Sequence, residues 1–225
     1  GRVGQFVFLM VMFILMIVGI IYVEQGQRRI PIQFAKRVRG RKVMGGQSTY
    51  IPLKVNSAGV IPVIFATSIL FFPALVATSL PQDNNVTAAI RNWIDINLAN
   101  SQGTTWFYVF FLGILIIFFT YFYTTIQFDP VRQSDMIRRQ GGFIPGVRPG
   151  ISTTNYLSHI INRITLPGSV FLASVAVLPS IASVIWDIPL GFSGISILIT
   201  VGVALETMKQ IESQLSMRNY EGFID

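Results

Sequence analysis

The sequence contains no cysteine and only one histidine, His159. Disulfides and thiolate metal ligands are therefore excluded, and one imidazole is too few for a histidine metal cluster. The sequence also lacks the Gly-x-x-x-x-Gly-Lys-Ser/Thr loop that binds nucleotide phosphates. We therefore expect no metal, no cofactor and no ATPase activity in this chain.

Charged residues are scarce, at 12% of 225 positions, whereas hydrophobic residues make up 52%. A water-soluble domain of this length needs more polar surface than that, so the composition indicates a membrane protein. The first charge-free run is long enough, at about 27 Å as a helix, to cross the hydrocarbon core. Five membrane spans are predicted in all, the last two interrupted by proline or glycine: residues 6–23, 58–80, 106–126, 164–186 and 188–208.

Lysine and arginine are distributed unevenly between the connecting segments. Residues 24–57 and 127–163 contain most of them, whereas the segment 82–105 contains only Arg91. Because cytoplasmic loops retain an excess of Lys and Arg, we place the two basic segments in the cytoplasm. The amino end should then lie outside and the carboxy end in the cytoplasm, and further helices are expected upstream of the first span.

The first basic segment has the pattern of a β-hairpin. Apolar and other residues alternate in 28–37, and residues 47–54 offer a partner strand. The connection, residues 38–46, combines glycines with clustered positive charge and should project into water. Two interpretations are open: the charges only fix the membrane topology, or they bind an anionic partner such as ribosomal RNA or an acidic protein face.

The second basic segment contains a loop, residues 141–150, with four glycines and two prolines. Proline fixes φ and glycine permits positive φ, so this loop should have a defined shape that presents Arg148 at a fixed place. After it, Ser152, Thr153 and Thr154 can cap an amphipathic helix that continues into the fourth span.

The sequence resembles the SecY family of protein-conducting channels. Four motifs in the right order carry the resemblance: Glu24-Gln-Gly-Gln-Arg-Arg-Ile30, Pro52-Leu-Lys-Val-Asn56 followed by Ala58-Gly-Val-Ile-Pro62, Gly142-Phe-Ile-Pro-Gly-Val-Arg-Pro-Gly150, and Arg163-Ile-Thr165. The resemblance implies an all-α polytopic membrane bundle with a cytoplasmic β-hairpin-like loop. The five spans would be the sixth to tenth helices of a ten-helix clamshell, and residues 1–225 its carboxy-terminal half.

The resemblance also implies roles for individual residues. Ile64 and Ile199 match the apolar collar that seals the family's pore, and Ser68 and Phe72 match its lateral gate. An apolar ring excludes ions when closed and offers no hydrogen bonds to hold a passing polypeptide. The residues implied to dock the ribosome or the SecA motor are Arg37, Arg39, Arg41, Lys42 and Arg148.

The implied activity is that of a passive channel in the bacterial plasma membrane, not of an enzyme. It would translocate secretory preproteins and release transmembrane helices into lipid after recognising signal sequences. The implied partners are the amino-terminal half of the channel, the small subunits SecE and SecG, and SecA or the ribosome as the source of energy.

Two other classes of protein compete with this interpretation. A secondary transporter half would also be helical and interrupted by Gly and Pro, but it usually needs buried ionisable groups for coupling. The charge-free spans contain none, and Arg163 and Glu206 lie at the ends of the last two spans. An intramembrane enzyme is disfavoured because the sequence has no His-Glu-x-x-His, no Gly-x-Ser-x-Gly and no paired aspartates at membrane depth.

Overall fold

The computed structural model describes residues 2–34, 37–39, 42–44, 48–79, 85–98, 105–186 and 193–221. Five of the helices in these ranges are long and apolar enough to cross a membrane. They are α1 (Arg2–Gln25), α2 (Ile61–Ser79), α4 (Trp106–Gln127), α6 (Ile151–Trp186) and α7 (Gly194–Glu221). Two shorter helices are α3 (Asn85–Asn97) and α5 (Pro130–Arg139), and the strands are β1 (Gln27–Phe34), β2 (Arg37–Arg39), β3 (Lys42–Met44), β4 (Ser48–Lys54) and β5 (Gly142–Phe143). The prediction of an all-α polytopic bundle is confirmed.

Helix α6 is the central helix of the bundle. It buries 56% of its most apolar stretch inside the protein, whereas the other four long helices bury 17% to 33%. The main core forms where α6 meets the other helices, with Leu172, Leu112, Val63, Ile20 and Leu198 among its buried members. The outward faces of the surrounding helices remain apolar and exposed, as expected for helices whose solvent is lipid.

The predicted β-hairpin is present. Strands β1 and β4 pair antiparallel, with Ile30 opposite Ile51 and Arg28 opposite Leu53. Side chains alternate across a strand, so Ile30, Ile32 and Leu53 all face the same side. There they form a second core with Ile137 of α5 and Leu157 of α6. This core attaches the hairpin to one end of the bundle, hereafter the hairpin end.

The structure adds elements that the sequence did not suggest. Strand β5 pairs with the end of β1, Phe34 opposite Gly142, and makes a three-stranded sheet. Gly142 suits this close pairing, because a β-carbon would lie 3.0 Å from side-chain atoms of Ile32 and Phe34, a tighter contact than most side chains make. Helix α5 is capped by Asp129, whose Oδ1 accepts hydrogen bonds from the backbone N–H groups of Val131 (2.9 Å) and Arg132 (3.3 Å).

The last two spanning helices, α6 and α7, differ most from the expected span bounds. The amphipathic segment from Ile151 runs into the fourth span without a break, as expected, so α6 has 36 residues. The fifth helix begins at Gly194, six residues later than expected, and continues past Met208 to Glu221. Its start coincides with a cap, since the Ser193 hydroxyl accepts a hydrogen bond from the Ser196 backbone N–H (3.2 Å).

Candidate functional site

The beginning of α2 lies against the middle of α7. A β-carbon on Gly202 would lie 3.3 Å from Cγ2 of Val60, so the missing side chain at Gly202 allows this approach. From Gly202 to Met217, α7 lines a cleft of about 780 Å³. Glu24, in the last turn of α1, and Gln127, the last residue of α4, also line this cleft. That part of α7 therefore lies toward the hairpin end, and its earlier turns lie deeper in the bundle.

The positions of the two collar candidates can be related to this contact. Ile64 lies four residues after Val60, and Ile199 three residues before Gly202, so each is about one helical turn, roughly 5 Å, further into the bundle. This spacing predicts that the two isoleucines lie at a similar depth. Ile64 is 45% exposed and Ile199 37% exposed, although the adjacent Val63 (0%) and Leu198 (1%) are buried in the main core. Both isoleucines thus point away from the core of this chain.

The two lateral-gate candidates lie on the same stripe of α2 as Ile64. Ile64, Ser68 and Phe72 are spaced four residues apart, which places them on one face of a helix. All three are exposed, and the Ser68 hydroxyl is satisfied within the helix because it donates to the carbonyl of Ile64 (2.8 Å). The face therefore presents no unsatisfied polar group to lipid or to another helix.

A polar contact joins the two helices that flank the hairpin. The Asn56 amide donates to the Glu24 carboxylate (2.6 Å) and to the carbonyl of Gly59 (3.2 Å). Asn56 is buried, and its Oδ1 has no hydrogen-bond partner among the described residues. This contact fixes the end of α1 against the turn that begins α2, and Gly59 in that turn has a φ of 65°. Glu24 and Asn56 both belong to the motifs quoted above, but no local pattern in the sequence predicts a role for either.

The loop that carries Arg148 is held from both sides. Its glycines at 141, 146 and 150 have positive φ angles of 73°, 82° and 114°, as the composition predicted. The Ser134 hydroxyl of α5 donates to the Gly150 carbonyl (3.1 Å), and the Thr153 hydroxyl of α6 donates to the Arg148 carbonyl (3.0 Å). The Arg148 side chain is exposed and has no ion-pair partner among the described residues.

The basic hairpin tip lies between β1 and β4 in the sequence and forms a separate two-stranded sheet. Strands β2 and β3 pair with Arg37 opposite Met44 and Arg39 opposite Lys42, so the connection forms a short hairpin of its own. Arg41 lies outside the described residues. Because β5 pairs with the end of β1, the base of this tip and the Arg148 loop emerge next to each other at the hairpin end. The Arg148 loop and the strand that leads to the tip therefore lie side by side at the hairpin end, apart from Ile64 and Ile199.

No group of three or more His, Asp or Glu side chains that could hold a metal ion occurs in the described part of the chain. The site thus consists of an exposed apolar helix face, partway along the bundle, and a group of basic segments at the hairpin end. These features, on five helices that can span a membrane, define a polytopic helical membrane protein with a basic extramembrane sheet.

A family model described as SecY matches residues 2–208, and the chain belongs to the SecY family. It is 52% identical over 217 residues to the protein translocase subunit SecY of Streptomyces scabiei, covering 94% of this chain and 47% of that protein. It is 48% identical over 219 residues to the same subunit of Mycobacterium tuberculosis (strain ATCC 25618 / H37Rv), covering 94% of this chain and 49% of that protein. The chain spans about half the length of these relatives.

Solved structures show the same fold. One, described as a study of the plug domain of the SecY protein, has a TM-score of 0.58 and 17% identity, and covers 96% of this chain and 52% of that chain. Another, described as the structure of a protein-conducting channel, has a TM-score of 0.57 and 18% identity, and covers 94% of this chain and 50% of that chain.

Proposed function

We propose that this chain is the carboxy-terminal half of a protein-conducting channel, which moves unfolded secretory polypeptides across the bacterial plasma membrane and releases transmembrane helices sideways into lipid. The strongest support is that, over 94% of the chain, about half of the residues are identical to those of proteins named translocase subunits. The match to only half of each relative supports a second, amino-terminal half as the nearest partner.

In this proposal α2 and α7 form one wall of the pore. Ile64 and Ile199 are expected at a similar depth and point away from the core of this half, so the other half can complete a collar around them. The stripe of Ser68 and Phe72 on α2 forms one edge of the lateral gate. Energy comes from outside the chain, from the SecA motor or the translating ribosome, and the small subunits SecE and SecG complete the assembly.

The basic hairpin end lies in the cytoplasm in this proposal. The support is electrostatic: the segments that form the sheet and its loops contain most of the Lys and Arg residues between spans. The amino end of the chain then lies outside and the carboxy end, after α7, in the cytoplasm. A transporter function has no comparable support, because Glu206 is exposed on the wall of the open cleft at the hairpin end and is not buried at membrane depth.

The channel function is tested by locating a polypeptide in transit. A photo-crosslinking amino acid is placed at Ile199 or Ile64 of the full-length channel, and at Met208 as a matched control, exposed on the opposite face of α7. A preprotein arrested during transport should crosslink to the first two positions at least about tenfold more than to the third, since only they face the pore. Equal crosslinking at all three positions, or none, would contradict the proposal.

The basic tip is expected to bind ribosomes. Replacing Arg37, Arg39, Arg41 and Lys42 with Gln should weaken ribosome binding and flatten its dependence on salt, because fewer counterions are released on association. If two to four of these charges contact phosphate, affinity at moderate salt should fall about tenfold or more. Cosedimentation of ribosomes with the solubilised complex at several salt concentrations measures both quantities. Unchanged affinity and slope would leave these charges as topology signals only.

A further inference from the structure

Helix α3, between two of the spanning helices, has an apolar face that the rest of the described structure does not cover. Its side toward the protein holds Arg91, Ile94 and, just beyond the helix, Leu98, which are half-buried. The adjoining face is apolar and open, with Trp93 52% exposed and Ile96 63% exposed. Val86 and Ile90 complete this open face, because residues 86, 90 and 93 recur at helical spacing.

The open face of α3 is continuous with the lipid-facing side of α4. The Trp93 ring meets Phe107 edge-on at 5.6 Å, and Phe107 stacks on Phe111 at 5.8 Å. Both phenylalanines belong to the exposed side of α4, together with Phe110 and Ile114. One apolar surface therefore runs from α3 onto a membrane-spanning helix.

A hydrogen bond to the backbone of α3 also holds this helix beside α4. The Thr105 hydroxyl, at the residue before α4, donates to the carbonyl of Ile96 near the end of α3 (2.9 Å). Arg91 and Asp95 form an ion pair (3.8 Å) on the side of the helix away from Trp93, and Asn92 is exposed at the edge of that side. The amide of Asn97, in the last turn beside the open face, donates to the Trp93 carbonyl (2.9 Å). The helix therefore has a fixed orientation, with an apolar side and a polar side.

We propose that α3 is an interfacial helix, which lies in the headgroup region of the membrane with its open apolar face inserted between the lipids. At 13 residues, about 20 Å, it is too short to span the bilayer but suited to lie along its surface. Tryptophan favours this depth because its ring is amphipathic. Lipid is the partner because the apolar face continues onto the exposed side of α4, a helix long and apolar enough to cross a membrane. The helix anchors the ends of α2 and α4 at the membrane surface, whether or not the chain conducts polypeptides.

The net charge of α3 determines whether its insertion depends on anionic lipids. Its only ionisable side chains are Arg91 and Asp95, so the helix is electrically neutral. Insertion should therefore depend on apolar burial and not on anionic lipids. The depth of Trp93 should be the same in vesicles of phosphatidylcholine alone and in vesicles that also contain phosphatidylglycerol.

The depth of Trp93 is measured by fluorescence. All other tryptophans of the full-length channel complex, including Trp106 and Trp186, are replaced by Phe, and the complex is reconstituted in vesicles. Emission should be quenched strongly by lipids brominated near the glycerol end of the acyl chain, weakly by lipids brominated near the chain terminus, and weakly by iodide. A second variant carries its only tryptophan at Phe118, which is exposed midway along α4, and should show the opposite preference between the two brominated lipids.

Two substitutions in the Trp93-only channel provide a matched comparison. Ile90→Asp puts a charge on the open apolar face, and Asn92→Asp puts the same charge on the other side of the helix. We expect about a threefold rise in iodide quenching for Ile90→Asp and no change for Asn92→Asp. Strong iodide quenching of the unaltered Trp93 would overturn the proposal. So would shielding from both iodide and brominated lipid, which would show that protein, for example a second copy of the channel, covers this face.

Discussion

Replacing Ile64 and Ile199 together with Asn in the full-length channel should raise its closed-state ion conductance about tenfold and permit export of preproteins with defective signal sequences. The two side chains are expected at a similar depth and point out of the core of this half, where the proposed collar closes. An amide at both positions holds water in a constriction that a branched apolar ring keeps dry. Conductance of the purified channel in planar bilayers, at equal amounts of inserted protein, measures the leak.

The matched control for the collar uses Ile69 and Met208. They lie on the same two helices and are about as exposed as Ile64 and Ile199, but they are on other faces. Replacing Ile69 and Met208 with Asn should leave the closed-state current unchanged. A closed-state current unchanged by the Ile64 and Ile199 substitutions would remove these residues from the pore, and an equal leak from both pairs would indicate general loosening of the bundle.

Charge reversal at Arg148 should reduce SecA-driven transport at least about tenfold. The Ser134 and Thr153 hydrogen bonds hold the backbone of the loop that presents this exposed guanidinium, which can make directed, bidentate contacts with a carboxylate. A Glu in its place repels the same partner. Lys should restore transport only in part, because an ammonium on a flexible chain cannot reproduce the bidentate geometry. ATP-dependent import of a preprotein into inverted membrane vesicles measures the rate.

Arg132→Glu is the control for Arg148→Glu. Arg132 is also exposed at the hairpin end, but it lies on α5 and not on the constrained loop. The same change of charge there should have little effect. Both variants should assemble in normal amounts, since each site is in water. Normal transport by Arg148→Glu, or a loss explained by reduced channel abundance, would make Arg148 an ordinary surface residue.

If Ser68 and Phe72 on α2 form one edge of a lateral gate, the position of α3 affects how that gate can move. The ends of α2 and α4 that are far from the hairpin connect to α3, and the aromatic contact of Trp93 with Phe107 fixes α3 to α4 in particular. If α3 stays at the membrane surface, the end of α4 is anchored there, and movement at the gate falls mainly on α2. Pro73 inside α2 removes one backbone hydrogen bond and makes bending of that helix easier.

The sequence by itself determined the membrane class, the five spans, the pairing of β1 with β4 and the family. These features depend on patterns within a short stretch: charge-free runs of about 20 residues, strict alternation along a strand, and glycine and proline at fixed places. Even the shape of the Arg148 loop followed from its composition, because glycine and proline restrict the backbone locally. The start of the fifth helix could not be predicted in this way, because the hydropathy pattern does not reveal the cap that Ser193 provides.

Only the tertiary structure decided which of these pieces meet. The contact of Asn56 with Glu24 joins residues 32 apart in the chain, and the Ser134 bond to Gly150 joins residues 16 apart. Nor does any local pattern reveal that Gly202 lets α7 approach Val60, or that β5 joins the end of β1 and places the Arg148 loop beside it. The physical reason is that each of these contacts depends on how two separate elements pack, and the apolar spans offer many packing partners of nearly equal hydrophobicity.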